Sequence, residues 1–304
     1  MNRKLKRIAL AVMIATSAST MARALGPVEA PDAEYVQSFE KWKAEQTDDL
    51  KANWLSLVGL FWLKPGTNTF GSDAGNAIVF PKGPAHAGEF DLDGKEVTLR
   101  LRPDTATIDG KPASVSKLAP DTSDHVTRVD MGSLHFYVIV RGQRVGIRLR
   151  DSESAASRSF KGMMFFPLDL SYRTTATWVP ADGKKTVEVP NALGDVSTEP
   201  VPGVVVFKLK GEELRLTALG GDAKTGLFFV FSDPTAKTDT YPGGRFLDTG
   251  PIVNGTVVLD FNRAYNPPCA VTPYATCPLA PKENRLAVAI TAGEKFDKAA
   301  HAHH

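Results

Sequence analysis

Along most of this chain, apolar and polar residues alternate in short runs that end at Asp-Gly, Gly-Ser or Gly-Gly, the period-two pattern of half-buried antiparallel strands. Residues 89–92 and 96–101 flank Asp93-Gly94, a strong hairpin signal, because a type I′ turn needs positive φ at both central residues. Asp109-Gly110 repeats the device between 106–108 and 111–113. Gly132-Ser133 separates 126–131 from 134–140, and Arg141-Gly142 leads into 144–150. A polar stretch, Asp151 to Asp169, interrupts the rhythm. Beyond it, strands are predicted at 172–180, 185–189, 204–209, 213–218, 227–232 and 256–260, punctuated by Lys210-Gly211 and Gly220-Gly221. Two segments depart from the pattern. After Pro31, Asp32 caps a short predicted helix whose Tyr35, Phe39 and Trp42 form one stripe opposite Glu34, Lys41 and Glu45. The run WLSLVGLFWL, 54–63, is too short to span a bilayer and is predicted as a buried strand, or two strand pieces bent at Gly59. The class is therefore all-β: a short N-terminal helix, a first β-sandwich, then a second antiparallel sandwich or barrel-like unit. No βαβ alternation is present, which excludes Rossmann-like and TIM-like plans.

The predicted layout is a signal peptide at 1–24, the helix and apolar strand at 25–64, a β-sandwich at 65–150, a C-terminal β domain at 151–298 and a tail at 299–304. Four cations in Met1 to Arg7, an apolar stretch from Ile8 and the small-residue pattern Ala22-Arg23-Ala24 have the order of a secretory signal, with cleavage after Ala24. The expectation is a secreted or periplasmic protein with no transmembrane span after cleavage. The formal charge is +2; removing Arg3, Lys4, Lys6, Arg7 and Arg23 with the signal leaves about −3. Such a balance, with no run of five like charges, has no nucleic-acid footprint.

Polar residues, prolines and both cysteines crowd the C-terminal region: YPGGRF from Tyr241, DFNRAYNPPCA from Asp260 and PYATCPLAPKENRLAVAI from Pro273. Arg245 follows Gly243-Gly244 and can present a planar cation fork where backbone approaches closely. Arg158 and Lys161 lie on the long polar loop. Asp260, Asn262 and Asn266 follow a strand, with Tyr241 or Tyr265 as an apolar wall, and together the set suits a small polar or anionic ligand. Glu283 and Asp260 are candidates for a carboxylate acid and base. The alternative is architectural: Arg245 pairs with Asp260, while Asn262 and Asn266 satisfy turn backbone. Cys269 and Cys277, separated by seven residues, read as a disulfide in an exported chain, since neither zinc spacing nor C-x-x-C is present. His135 lies in an alternating strand, and His86 and His125 in polar loops. Catalytic residues stay unassigned; no metal site or cofactor is predicted, and the protein partner is unknown.

Two resemblances add to this. GTNTFGSDAGNAIVFPKGPAHAGEF, from Gly66, and TIDGKPA, from Thr107, resemble a forkhead-associated (FHA-like) domain, which implies a β-sandwich. That family's phosphate-gripping arginine is replaced by Ser72, so the resemblance carries the fold and not phosphothreonine binding. The C-terminal motifs above, with Arg158-Ser159-Phe160-Lys161-Gly162 and Phe166-Pro167, resemble domain of unknown function 1684. That resemblance implies a β-rich domain of unassigned activity. The leading expectation is an exported protein binding a small polar or anionic ligand in a cleft of the C-terminal domain. The alternatives are a hydrolase using Asp260 or Glu283 there, and a structural or envelope protein-interaction module.

Overall fold

The computed structural model describes residues 30–296, so the signal peptide and the tail lie outside the described residues. The helix α1 (Ala33–Asp49) starts where Asp32 accepts a hydrogen bond from the Tyr35 amide at 2.7 Å. It is 17 residues long rather than short, and it continues into a single π-helical stretch, Leu50–Trp54. That stretch takes up the start of the apolar run, so the strand begins only at Leu57.

The first unit consists of β1 (Leu57–Trp62), β2 (Gly66–Gly71), β3 (Ile78–Val79), β4 (Gly88–Asp93), β5 (Glu96–Leu101), β6 (Thr107–Ile108), β7 (Lys111–Pro112), β8 (Val115–Leu118), β9 (Val129–Met131), β10 (Leu134–Arg141) and β11 (Arg144–Asp151). They form two sheets, in the orders β1-β11-β10-β9-β6-β7 and β3-β2-β4-β5-β8. The apolar strand β1 pairs with β11 and so is part of this sandwich. Phe70, Phe80, Phe90 and Phe136 fill its centre, with Phe70 stacked on Phe90 at 4.4 Å and Phe136 edge-on to Phe90 at 5.6 Å. Such offset and edge-to-face pairs are favoured by the aromatic quadrupole.

After α2 (Ala155–Ser159) the second unit contains β12 (Arg173–Pro180), β13 (Thr186–Pro190), β14 (Val196–Pro200), β15 (Gly203–Leu209), β16 (Glu212–Thr217), β17 (Gly220–Asp222), β18 (Gly226–Phe231), β19 (Arg245–Asp248) and β20 (Thr256–Asp260). A four-stranded sheet, β16-β15-β12-β20, faces the three-stranded β17-β18-β19, and β13-β14 is a separate hairpin. Among the described residues these sheets stay open, so the unit is a sandwich and not a barrel. On β18, Leu227, Phe229 and Phe231 face the main core while Phe228 and Val230 face a second cluster with Phe246, Ala275 and Cys277. Burial on both faces explains the unbroken apolar run of that strand.

Helix α1 packs on the second unit. Phe39 meets Phe165 edge-on at 5.4 Å, Trp42 meets Tyr265 at 6.3 Å, and the Tyr35 hydroxyl donates to Asp260 at 3.0 Å. The two units also touch directly, through Arg141 Nε to Thr276 Oγ1 at 3.0 Å and an Arg144–Asp195 ion pair. Among the described residues no helix is long and apolar enough to cross a membrane.

Candidate functional site

The polar residues singled out along the C-terminal motifs do not converge on one cleft. Arg245 opens β19 with its side chain 1% exposed. It binds Asp233 at 2.9 Å, donates to the carbonyls of Ile290 (3.0 Å) and Ala292, and lies 5.1 Å over the Phe231 ring. Its ion-pair partner is thus Asp233 and not Asp260, and the guanidinium is enclosed by partners, which removes it as a ligand contact. Gly244 makes this possible: with φ at +99°, a Cβ there would stand 2.6 Å from the Phe231 carbonyl oxygen.

Asp260 receives the Tyr35 hydroxyl, caps the Asn262 amide at 3.2 Å and lies 3.6 Å from Arg263 Nε. Asn262, buried, accepts from the Asp169 amide and donates to the Asp169 carbonyl, both at 3.0 Å, so it clamps a loop. Glu283 is exposed on a 3-10 turn, Lys282–Asn284. Neither Asp260 nor Glu283 lines any of the five principal cavities. In the same turn Asn284 is fully buried and ties two strands, accepting from the Thr217 amide at 2.7 Å and donating to the Val230 carbonyl at 2.9 Å. Arg158 is exposed at the end of α2, where it donates to the Glu153 carbonyl.

Three predicted residues, Lys161, Tyr265 and Asn266, do come together, around a residue the sequence reading missed. Glu294 is buried, and its carboxyl accepts the Asn266 backbone amide at 2.7 Å. Its backbone amide donates to the Ala264 carbonyl at 2.7 Å, and Gly293, at φ +81°, lets the chain pass where a Cβ would stand 2.6 Å from that same oxygen. Burial pushes the Glu294 carboxyl up to about 8, offset in part by its bonds to Asn266 and by Arg245 nearby, so it carries its proton at neutral pH.

Two cavities meet at this acid. One, of about 540 Å³, is walled by Phe160, Lys161, Met164 and Phe296; the other, of about 290 Å³, by Leu50, Trp54, Phe246 and Tyr265. Met163, Asn266, Val271 and Glu294 line both. The Asn266 side chain donates to the Lys295 carbonyl at 2.9 Å, but its Oδ1 is buried without a partner. Buried acceptors in that state are rare, because the lost hydration is uncompensated. Two roomier cavities, about 670 and 640 Å³, are chemically settled: Arg144 is paired with Asp195 in one, and Asp233 with Arg245 in the other.

Cys269 and Cys277 stand as two thiols in contact, the Cys269 amide donating to Cys277 Sγ at 3.2 Å. The Tyr241 hydroxyl reaches the Cys269 carbonyl at 3.5 Å, outside either cavity. Hydrogen bonding with Cys277 draws the Cys269 thiol down, while that bond and burial push Cys277 up. On β10, burial and the charges of Arg128 and Arg150 lower the His135 imidazole. Among the described residues no three His, Cys, Asp or Glu are grouped to hold a metal.

Residues 158–295 match the family described as Protein of unknown function (DUF1684). The chain is 33% identical to the uncharacterized protein from gene locus rrnAC0354 of Haloarcula marismortui, with 46% of this chain and 80% of that one covered and a TM-score of 0.39. Two FHA-domain structures are each 17% identical over 30% of this chain, with TM-scores of 0.22. One comes from an analysis of phosphothreonine-dependent FHA interactions, with 92% of it covered. The other is the FhaA FHA domain complexed with the intracellular domain of Rv3910, with 97% covered. The curated proteins include no match.

Proposed function

This chain belongs to the DUF1684 family, and on that premise we propose that it is an exported protein that binds a small ligand in the cleft around Glu294 and Asn266. The N-terminal charge, apolar stretch and Ala22-Arg23-Ala24 support export. One observation carries the binding reading: a buried proton-bearing carboxyl and a buried unpartnered amide oxygen lie together where two cavities meet. Both cavities are close to or within the range of about 300–1,000 Å³ usual for small-molecule sites. Arg245 and Asn284, by contrast, have their donors and acceptors engaged by protein partners. In this cluster Asn266 Oδ1 is buried without a partner beside the two cavities.

The test is a thermal-shift screen of residues 25–304 against sugars, acidic metabolites, nucleotides and lipids, alongside Val271→Trp, which fills the junction. A ligand at about 100 times its Kd adds roughly 2.7 kcal/mol, enough to raise the melting point by a few degrees. Stabilisation of the wild type that is absent from a still-folded Val271→Trp is expected. Equal stabilisation of both would move the site elsewhere, and none at all would favour a structural module.

A hydrolase is the second reading, and the same carboxyl favours it. A carboxylic acid still protonated at neutral pH suits general-acid catalysis, which neither Asp260 nor Glu283 is placed to supply. Any turnover found with the screen's hits should fall as pH rises through about 8 and vanish in Glu294→Gln.

A further inference from the structure

We propose that the larger of the two cavities takes an acyl chain with a terminal anionic group, the chain lying against Phe160, Met163, Val271 and Phe296 and the anion beside Lys161. This deepens the reading of the cleft as the ligand site and rests on it. After α2, residues 160–164 form neither helix nor strand, and Gly162 turns the chain at φ +110°, a conformation that glycine adopts freely. The far end of this segment is pinned beside Glu294: the Lys295 amide donates to the Met164 carbonyl at 2.8 Å, and Phe165 bridges to Glu294. A strap held in this way brings Phe160, Lys161 and Met163 into one cavity wall.

Two properties of that wall select the ligand class. Most of its side chains are apolar, and Met163 and Met164 are unbranched and adaptable, able to follow a flexible chain. Met164 is 50% exposed, apolar surface that an acyl chain would cover. The wall is also positive. Its basic groups are Lys161, exposed to solvent, and Lys295, while its single acid, Glu294, is kept neutral by burial, which pushes the carboxyl up to about 8. An anion there meets Lys161 with no ionised carboxylate in the same wall. A sugar would leave its many hydroxyls unpaired against the apolar side chains. A nucleotide would need a fork of phosphate donors, and the arginines that could supply one are occupied, Arg158 by the Glu153 carbonyl and Arg245 by Asp233.

Isothermal titration of residues 25–304 with decanoate and with decylammonium, chains of equal length and opposite charge, tests this without any variant. Decanoate is expected to bind at least about tenfold more tightly, because one head group attracts Lys161 and the other is repelled. Unspecific adsorption would run the other way, since residues 25–304 carry a formal charge of about −3. Going from octanoate to decanoate should tighten binding roughly fifteenfold if both added methylenes are buried. Lys161→Glu, a change at an exposed position, should weaken decanoate and narrow its lead over decylammonium. Equal or tighter binding of decylammonium, indifference to chain length, or unchanged decanoate binding by a folded Val271→Trp would overturn the proposal. If acyl anions fail while another compound stabilises the wild type and not Val271→Trp, the ligand class is wrong and the site stands. If nothing binds in either experiment, both readings fall.

Discussion

Arg245 and Glu294 are both buried ionisable groups, yet their environments give them opposite roles. Arg245 has a carboxylate and two carbonyls at its donors, so its charge is kept in spite of burial, which alone would lower its proton affinity. Removing such a partner strands Asp233, itself buried, and Arg245→Ala is expected to cost about 3–5 kcal/mol in urea unfolding. A loss under about 0.5 kcal/mol, usual for open surface sites, would mean the pair is not structural. Glu294 lacks a cation in direct contact and stays neutral instead. Its carboxyl binds a proton more tightly folded, at about 8, than unfolded, near 4.3, so the folded state gains from protonation. That stability is fully present below the unfolded value and is lost as pH rises through about 8. Glu294→Gln keeps the shape and an acceptor for the Asn266 amide but cannot ionise. Its unfolding free energy should therefore decline less than the wild type's between pH 5 and 9, by an amount on the order of a few kcal/mol. Parallel pH profiles would refute the assignment.

Among the elements, legibility in the sequence followed the turn chemistry. The hairpin at Asp109-Gly110 appears as the turn residues predict, with positive φ at both, whereas the one read at Asp93-Gly94 forms one residue on: Asp93 pairs with Glu96, and of the turn residues Gly94 and Lys95 the glycine takes the positive φ. β14 and β19 escaped for a different reason. The former, VSTEP, has almost no apolar face; the latter begins with a buried arginine, so neither shows period-two hydrophobicity. The start of α1 was readable from Asp32, but its docking was not, since the contact with Asp260 joins residues more than 200 positions apart. That contact can be tested. Tyr35→Phe deletes the hydroxyl that donates to a charged carboxylate, and a hydrogen bond of that kind contributes about 1.5–3 kcal/mol. The amides of α1 should then exchange with deuterium faster than those of β18, which lies between two cores. Uniform acceleration across both would mean that α1 does not open on its own.

For the whole molecule, composition and strand rhythm made the all-β class plain, but the site required the folded chain. Asp260, Asn262 and Arg245 looked like one cluster because they are close in sequence and polar; in the fold Asp260 and Asn262 bond each other, Tyr35 and Asp169, while Arg245 pairs separately with Asp233. Glu294 went unnoticed because a Glu-Lys pair after a glycine reads as solvated loop, and only the packing of residues 159–164 and 264–271 around it makes it buried. The cysteines connect the fold to the compartment. Their sulfurs lie in the second cluster, with Cys269 poised nearer to a thiolate than its neighbour. A thiolate beside a thiol closes to a disulfide once an oxidant accepts the electrons, which export to an oxidising compartment supplies. Chain isolated from that compartment should have a mature N-terminus at Leu25 and no free thiol when denatured without reductant. The same residues 25–304 made in a reducing cytosol should give two thiols and lose roughly 2.5 kcal/mol, the loop-closure contribution of so short a ring. Export with both thiols intact would separate the two inferences: the signal peptide would stand, and the pair would be a packed dithiol rather than a staple.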